Sequence, residues 1–130
     1  MHVDGGARGN PGPAAIGVVV SDGGGEVLLE RGQPIGRATN NVAEYRAVLL
    51  GIELARELGA TELALVGDSE LVVRQVRGEY RVKDAGLKPL HAEVRAALAP
   101  LEAWSIRHVR REQNAEADRL VNETLDDPDG

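Results

Sequence analysis

The sequence predicts an α/β domain built on a five-stranded mixed sheet that is flanked by helices. Three observations support this fold class. Short apolar runs separated by a glycine-rich turn open the chain, and they predict that strands 1–3 are antiparallel. Helical periodicity follows, and a later apolar run of strand length leads directly into a helix, as in sheets with parallel strands. With 130 residues, of which 42% are hydrophobic, the chain is long enough for one domain with a buried core.

The first three strands are predicted at residues 2–7, 16–20 and 27–29. The second and third of these flank SDGGGE, a turn signal that is typical of a β-hairpin. In NNVAEYRAVLLGIELARELGA, apolar residues recur at spacings of three and four, which predicts an amphipathic helix that ends at Gly59. Asn40 or Asn41 is the expected N-cap of this helix.

The second half of the chain supplies two further strands and three helices. TELALVGD predicts a strand, and SELVVRQVRG predicts a short helix directly after it. Pro89 begins the next helix, which runs to about Leu98, and the alternating segment EAWSIRHVR predicts the fifth strand. QNAEADRLVNETL predicts a closing helix. We expect the domain to cover residues 1–125 and residues 126–130 to form a frayed acidic tail.

The composition argues against several classes of protein. No stretch approaches the roughly 18 apolar residues of a membrane span, and no secretory signal is visible at the start. The absence of cysteine excludes disulfides and thiolate metal sites, and it fits a cytoplasmic location. The net charge of −6 argues against binding nucleic acid by bulk charge. With one tryptophan, two tyrosines and no phenylalanine, a base-stacking platform for single strands is not expected.

Four of the 21 acidic residues lie where a carboxylate is destabilising without a partner. Asp4 ends the first strand beside the glycine-rich segment. Asp68 ends a buried strand, at the edge where open α/β sheets bind ligands. Glu44 has small or apolar helix neighbours three, four and seven positions further on, and Asp118 borders the apolar stripe of the last helix.

Each of these acids also has an ordinary structural explanation when taken alone. In chain order the alternatives are a turn residue, an acid favoured by the helix dipole, an N-cap shared with Ser69, and a surface acid paired with Arg119 or Arg111. The combination favours a site, because the first strand is expected beside the strand that ends at Asp68, so that carboxylates from four elements converge.

Converging carboxylates repel one another unless a cation lies between them. Oxygen ligands without cysteine or a nearby histidine favour Mg²⁺ or Mn²⁺. A site of this kind suits two-metal phosphoryl transfer, in which the ions lie roughly 4 Å apart.

Four segments together resemble type 1 ribonuclease H: DGGARGNPGPAAIGVVV, GRATNNVAEYRAVLLGI, LVGDSELVVRQVRGEY and VRREQNAEADRLVNETL. The resemblance spans roughly residues 3–125 and is greatest to the compact bacterial and archaeal forms without a basic protrusion. It implies the ribonuclease H-like fold and endonucleolytic hydrolysis of the RNA strand of RNA–DNA hybrids. It also implies two Mg²⁺ ions, with Mn²⁺ as an alternative, and products with 5′-phosphate and 3′-hydroxyl ends. We expect a monomer without an obligate protein partner or a membrane; fusion to a second enzyme, as in some bacteria, stays open.

The family's catalytic and metal-binding quartet falls on the same four acids, Asp4, Glu44, Asp68 and Asp118. Many relatives carry a mobile histidine shortly before the last aspartate, but this loop reads RREQN, and Arg111 is the best catalytic substitute. The segment GEYRVKDAGLKPL stands in place of a basic helix. We therefore expect modest hybrid affinity with strong salt dependence.

The resemblance also assigns substrate contacts. It implies minor-groove contacts, where 2′-hydroxyls are displayed, from Asn10, Asn40 and Asn41. It implies a pocket for a DNA-strand phosphate at Arg37 and Thr39. Two alternatives remain: a binding module that has lost catalysis, and a superfamily relative such as a Holliday-junction resolvase or a 3′–5′ exonuclease. The intact quartet argues against the first, and TNNVAEYRA with NPGP argues against the second.

Overall fold

The computed structural model describes residues 1–127 as one α/β unit. The strands are β1 (His2–Ala7), β2 (Gly12–Ser21), β3 (Val27–Ala38), β4 (Glu62–Gly67) and β5 (Ala103–His108). The helices are α1 (Asn40–Glu57), α2 (Glu70–Arg77), α3 (Lys88–Leu98) and α4 (Ala115–Asp126), and a 3₁₀ turn, Arg111–Asn114, precedes α4. Of the predicted acidic tail, Asp126 ends α4, and residues 128–130 lie outside the described part of the chain.

The strands form one mixed sheet in the order β3-β2-β1-β4-β5. The pairs β1–β2 and β2–β3 are antiparallel, and β1–β4 and β4–β5 are parallel, which confirms the predicted fold class. The parallel register of β1 with β4 covers only His2 with Val66 and Val3 with Gly67. Asp4 and Asp68 are the residues that follow this last pair, so the sheet places both where β1 and β4 separate.

The predicted hairpin is confirmed, but its strands are longer than the apolar runs indicated. Asp22 Oδ1 accepts hydrogen bonds of 2.9 Å from the main-chain nitrogens of both Gly24 and Glu26, which stabilises the turn. β3 continues to Ala38 although most of its residues are exposed, because backbone pairing with β2 does not require an apolar side chain.

Helices α1 and α4 lie on opposite faces of the sheet. A Cβ atom on Gly5 would meet the backbone of Ala43 in α1, whereas one on Gly17 would meet the carbonyl of Ala117 in α4. Gly5 follows Asp4, whose strand partner is Gly17, and successive residues of a strand face opposite sides. The two glycines allow the two helices to approach the sheet closely, and Asp4 shares its face of the sheet with Gly17.

The predicted N-cap of α1 is wrong by one residue. Thr39 is the cap, and its hydroxyl accepts a hydrogen bond of 3.2 Å from the main-chain nitrogen of Val42. Asn40 is not free for that role, because its Oδ1 accepts a hydrogen bond of 2.9 Å from the main-chain nitrogen of Ala7. The apolar face of α1 includes Tyr45 and Ile52, both fully buried. Within residues 1–127, no helix is both long and apolar enough to cross a bilayer.

Candidate active site

The structure brings the four predicted acids to the edge of the sheet where β1 and β4 separate. Asp4 and Glu44 are buried, at 5% and 8% exposure, and the side chain of Asp68 is 8% exposed. One carboxylate oxygen from each of these three lies within 4.8 Å of the other two. Asp118, on α4, borders the same open cavity of about 350 Å³. Four separate elements therefore contribute carboxylates to one site.

Local backbone geometry fixes these side chains. Gly5 allows α1 to lie against β1, and its main-chain nitrogen donates a hydrogen bond of 3.1 Å to Glu44 Oε1. Ser69 is the N-cap of α2, since its hydroxyl accepts from the main-chain nitrogen of Val72. The capping role that was the structural alternative for Asp68 thus belongs to Ser69, and the carboxylate of Asp68 faces the cavity.

Burial dominates the electrostatics of the cluster, and the neighbouring carboxylates add to its effect on Asp4. Burial, together with the nearby carboxylates of Glu44 and Asp68, raises the pKa of Asp4 to about 10. Burial also raises the pKa of Glu44, to about 7, although hydrogen bonds from Asp4 and from the Gly5 nitrogen oppose the rise. Asp68 Oδ2 is buried without a hydrogen-bond partner. An all-oxygen donor set with a buried carboxylate oxygen that accepts no hydrogen bond fits a hard divalent cation.

The raised pKa values predict that the metal-free protein loses stability as the pH rises. The folded state holds protons on Asp4 and Glu44 more tightly than the unfolded chain, whose ordinary values are 3.8 and 4.5. This contribution is complete below pH 3.8 and is lost as the pH rises through about 7 and then about 10. Between pH 5 and pH 8, urea unfolding in a chelator should show a loss of at least about 1.4 kcal/mol, the equivalent of one pKa unit.

Two comparisons make the pH experiment specific. Asp4→Asn removes the most perturbed group and should flatten the profile. Millimolar Mg²⁺ should restore stability at pH 8, because the cation binds only the folded, ionised site. A free energy of unfolding of the wild-type protein in chelator that does not change with pH would contradict the raised pKa values of Asp4 and Glu44.

Arg111 lies beside the cluster without a fixed contact. Its Nε is 3.9 Å from Asp68 Oδ2, which is too long for a hydrogen bond, and its side chain is 79% exposed. His108, the histidine that precedes this loop, is the last residue of β5, as the sequence predicts. Arg111 is therefore a basic side chain at the margin of the acidic cluster, and its exposure leaves it free to change rotamer.

The predicted substrate residues divide into two groups. Asn40 and Asn41 line the acidic cavity, and the Oδ1 of Asn10 accepts a hydrogen bond of 3.0 Å from the main-chain nitrogen of Asn40. Arg37 lies apart, in a depression of about 270 Å³ beside the end of α4, and the hydroxyl of Thr39 is occupied as the helix cap. A hollow of about 640 Å³ at the far end of the sheet, around Leu58 and Trp104, contains none of the predicted site residues.

Asn114 is a residue of the site region that the sequence did not single out. It is 1% exposed, and its Nδ2 donates a hydrogen bond of 2.8 Å to the main-chain carbonyl of Val3, the residue before Asp4. Asn114 is also four positions before Asp118. Its amide thus joins the strand of one acid to the helix of another. The one signal for Asn114 in the sequence is its place at the start of NAEAD, which ends at Asp118.

Replacing Asn114 should lower stability more than its small size suggests. Asn114→Ala leaves the Val3 carbonyl without this buried donor, which is expected to destabilise the fold by about 1–3 kcal/mol. Glu112→Ala, which truncates an exposed side chain two residues away, should change stability by no more than about 0.5 kcal/mol. Urea unfolding of the two variants measures the difference, and equal effects would show that the buried contact is unimportant.

The fold and the site together define an α/β protein with a buried cluster of carboxylates whose oxygens suit a divalent cation. A family model described as "Reverse transcriptase-like" matches residues 2–124. Ribonuclease HI of Halobacterium salinarum is 45% identical over 97% of this chain, and the crystal structure of RNase H1 from that archaeon superposes with a TM-score of 0.94, covering 96% of this chain and 95% of that one. LC11-RNase H1, solved in complex with an RNA/DNA hybrid, is 44% identical with a TM-score of 0.89, over 94% of this chain and 92% of that one.

The chain belongs to the type 1 ribonuclease H family. Members of this family depend on a divalent metal ion, which agrees with the acidic cluster found here. The chain spans 63% of the length of the Halobacterium protein, and it spans 35% of the bifunctional protein Rv2228c of Mycobacterium tuberculosis, to which it is 46% identical over 97% of its own length. Longer relatives therefore carry further sequence outside this domain.

Proposed function

We propose that this protein is an endonuclease that hydrolyses the RNA strand of RNA–DNA hybrids and leaves 5′-phosphate and 3′-hydroxyl ends. The observation that carries the proposal is the convergence of Asp4, Glu44, Asp68 and Asp118 at one open cavity that Asn40 also lines. Family membership supports it, as does the hybrid in the complex of LC11-RNase H1.

The four carboxylates are the proposed catalytic residues, and they would hold two Mg²⁺ ions, with Mn²⁺ as the alternative. Bound ions would supply the positive charge that activates a water and stabilises the leaving oxygen. The unpaired oxygen of Asp68 and the raised pKa of Asp4 support this assignment, because both features are relieved by a cation. The protein's own contribution is to hold the ligands in place before the substrate arrives.

We assign positioning of the hybrid to the polar residues around the cavity. Asn10, Asn40 and Asn41 form the proposed minor-groove contact, and the hydrogen bonds between Asn10, Asn40 and the β1 backbone support it by fixing the loop to the helix. Arg37 and Thr39 are proposed to bind a phosphate of the DNA strand, which positions the duplex without reading its sequence. In this proposal the Thr39 hydroxyl acts from its capping position, and Arg37 must reach across from its own depression.

Arg111 is proposed to take part in catalysis from the loop before α4. Its exposure and its 3.9 Å separation from Asp68 support a mobile cation that approaches the reacting phosphate when the substrate is bound. We further propose that the protein acts as a monomer in the cytoplasm without an obligate protein partner. The four carboxylates all come from this chain, so the proposed site needs no residue of a second subunit. Fusion of this domain to a second one in a longer parent chain also stays a proposal.

The deciding experiment is a cleavage assay on an end-labelled RNA–DNA hybrid, with duplex RNA and duplex DNA of the same sequence as controls. We expect Mg²⁺- or Mn²⁺-dependent cutting of the RNA strand of the hybrid alone. Mapping of the ends should give 5′-phosphate and 3′-hydroxyl. Cutting of duplex DNA would indicate a superfamily relative with another substrate. Hybrid binding without cutting in either metal would indicate a binding module.

A further inference from the structure

A buried amide joins α1, which carries Glu44, to α2, which begins two residues after Asp68. Gln75, in α2, is 5% exposed, and its Oε1 accepts a hydrogen bond of 2.6 Å from the hydroxyl of Tyr45, which is fully buried in α1. Leucine or methionine would fill the same space without a polar group to satisfy. An amide in an otherwise apolar helix interface is stabilising only when its hydrogen bonds are made. The pair is therefore a specific junction rather than general packing.

Both helices of the junction begin close to an acid of the site or contain one. Tyr45 directly follows Glu44, and the helix that contains Gln75 begins two residues after Asp68. α2 has only eight residues, and its other buried side chains are valines, which pack without a preferred direction. The Tyr45–Gln75 hydrogen bond thus joins α2 to α1, and a shift of α2 would move its N-cap, Ser69, and the adjoining Asp68 relative to Glu44.

Helix α3 holds the same junction from a third side. His91 Nε2 is 3.0 Å from the main-chain carbonyl of Gln75, and Arg95 Nη1 donates a hydrogen bond of 2.7 Å to the carbonyl of Val76. The ring of His91 meets the ring of Tyr45 edge-on, with centroids 6.4 Å apart. These contacts fix the carboxyl end of α2, so that the phenol and the amide cannot separate without moving three helices.

We propose that the Tyr45–Gln75 hydrogen bond is a positioning pair that holds Glu44 and Asp68 at the separation that a divalent cation requires. This inference rests on the proposed function. Without metal, the carboxylates of Glu44 and Asp68 repel each other, and the repulsion favours movement of Asp68 and the adjoining start of α2 away from α1. The hydrogen bond opposes that separation, so the site is already assembled when the ion arrives. Neither side chain of the pair belongs to the acidic cluster.

The test measures metal affinity and stability separately. Tyr45→Phe removes the hydroxyl and keeps the ring. We expect the dissociation constant for Mn²⁺ alone, measured by calorimetry on the folded protein well below its melting temperature, to rise about 10-fold. Gln75→Met removes the acceptor and should raise the dissociation constant by the same factor. It replaces Tyr45→Phe as the test if that variant does not fold. The double variant should bind Mn²⁺ as tightly as either single variant does, because each substitution removes the same hydrogen bond. In hybrid cleavage, the half-saturating metal concentration should rise while the rate at saturating metal is retained.

Val20→Ala is the matched control, because it creates a small cavity near the far end of β2 and lowers stability without touching α2. It should leave the Mn²⁺ dissociation constant unchanged. If Tyr45→Phe and Gln75→Met lower stability but keep wild-type affinity, as Val20→Ala does, the pair is merely structural and the inference is wrong. If the wild-type protein itself binds no Mn²⁺, the proposed function fails and the inference fails with it. The two failures are therefore distinguishable.

Discussion

Cleavage of an RNA–DNA hybrid should fall by at least about 10³-fold in Asp68→Asn, while the metal-free protein stays as stable as the wild type or becomes more stable. A metal ligand at such a site stabilises the transition state by several kcal/mol, and each 1.36 kcal/mol corresponds to a factor of ten in rate. Stability should not suffer, because the unpaired Oδ2 of Asp68 makes no hydrogen bond that the amide would lose. The substitution also removes one of the charges that repel Asp4.

The measurement pairs the cleavage rate at saturating metal with urea unfolding in a chelator. Glu102→Gln, which neutralises an exposed acid just before β5, is the matched control and should retain full activity. An Asp68→Asn protein that is unfolded would show that this residue is structural. A folded variant with wild-type cleavage would remove Asp68 from the catalytic set.

Gly5→Ala should destabilise the protein by about 3 kcal/mol, at the upper end of the usual effect of overpacking. The new methyl group would overlap the backbone of Ala43 and the main-chain nitrogen of Glu44, and backbone cannot move aside as a flexible side chain can. Helix α1 must then move away from β1, which also breaks the hydrogen bond from the Gly5 nitrogen to Glu44. Metal affinity should therefore fall together with stability.

The neighbouring glycine provides the comparison. In Gly6→Ala the added Cβ would lie 3.7 Å from a methyl group of Val121, an ordinary van der Waals distance. Urea unfolding of the two variants should show a loss of stability that is confined to Gly5→Ala. Equal losses in both variants would mean that the general cost of replacing glycine in β1, rather than the approach of α1, explains the effect.

The sequence predicted the elements whose signals are local. SDGGGE predicted the hairpin because the turn depends on the conformations of its own residues. The period of α1 was clear because one face of that helix is buried along its whole length. The extension of β3 to Ala38 was missed, because an edge strand whose residues are mostly exposed has no apolar alternation to detect.

The acids of the site were predictable for a similar reason, whereas the buried amides near them were not. Asp4 and Asp68 stand at the ends of apolar strands, where a carboxylate is conspicuous. Gln75 and Asn114 lie in polar-looking stretches and are buried only because distant elements cover them. Nothing local distinguishes Gln75 from an exposed amide, and Asn114 is marked only by its place in NAEAD. The close approach of α1 to Gly5 depends on a helix that begins 35 residues later.

The hydrogen bond from Asn114 to Val3 joins residues that are 111 positions apart in the chain. During synthesis, the first strand leaves the ribosome long before the last helix, and domains fold as units once their parts are available. Asp118 can reach Asp4 only after α4 has emerged and docked. The set of four carboxylates therefore cannot assemble until the residues of α4 have left the ribosome, however much of the sheet has formed before then.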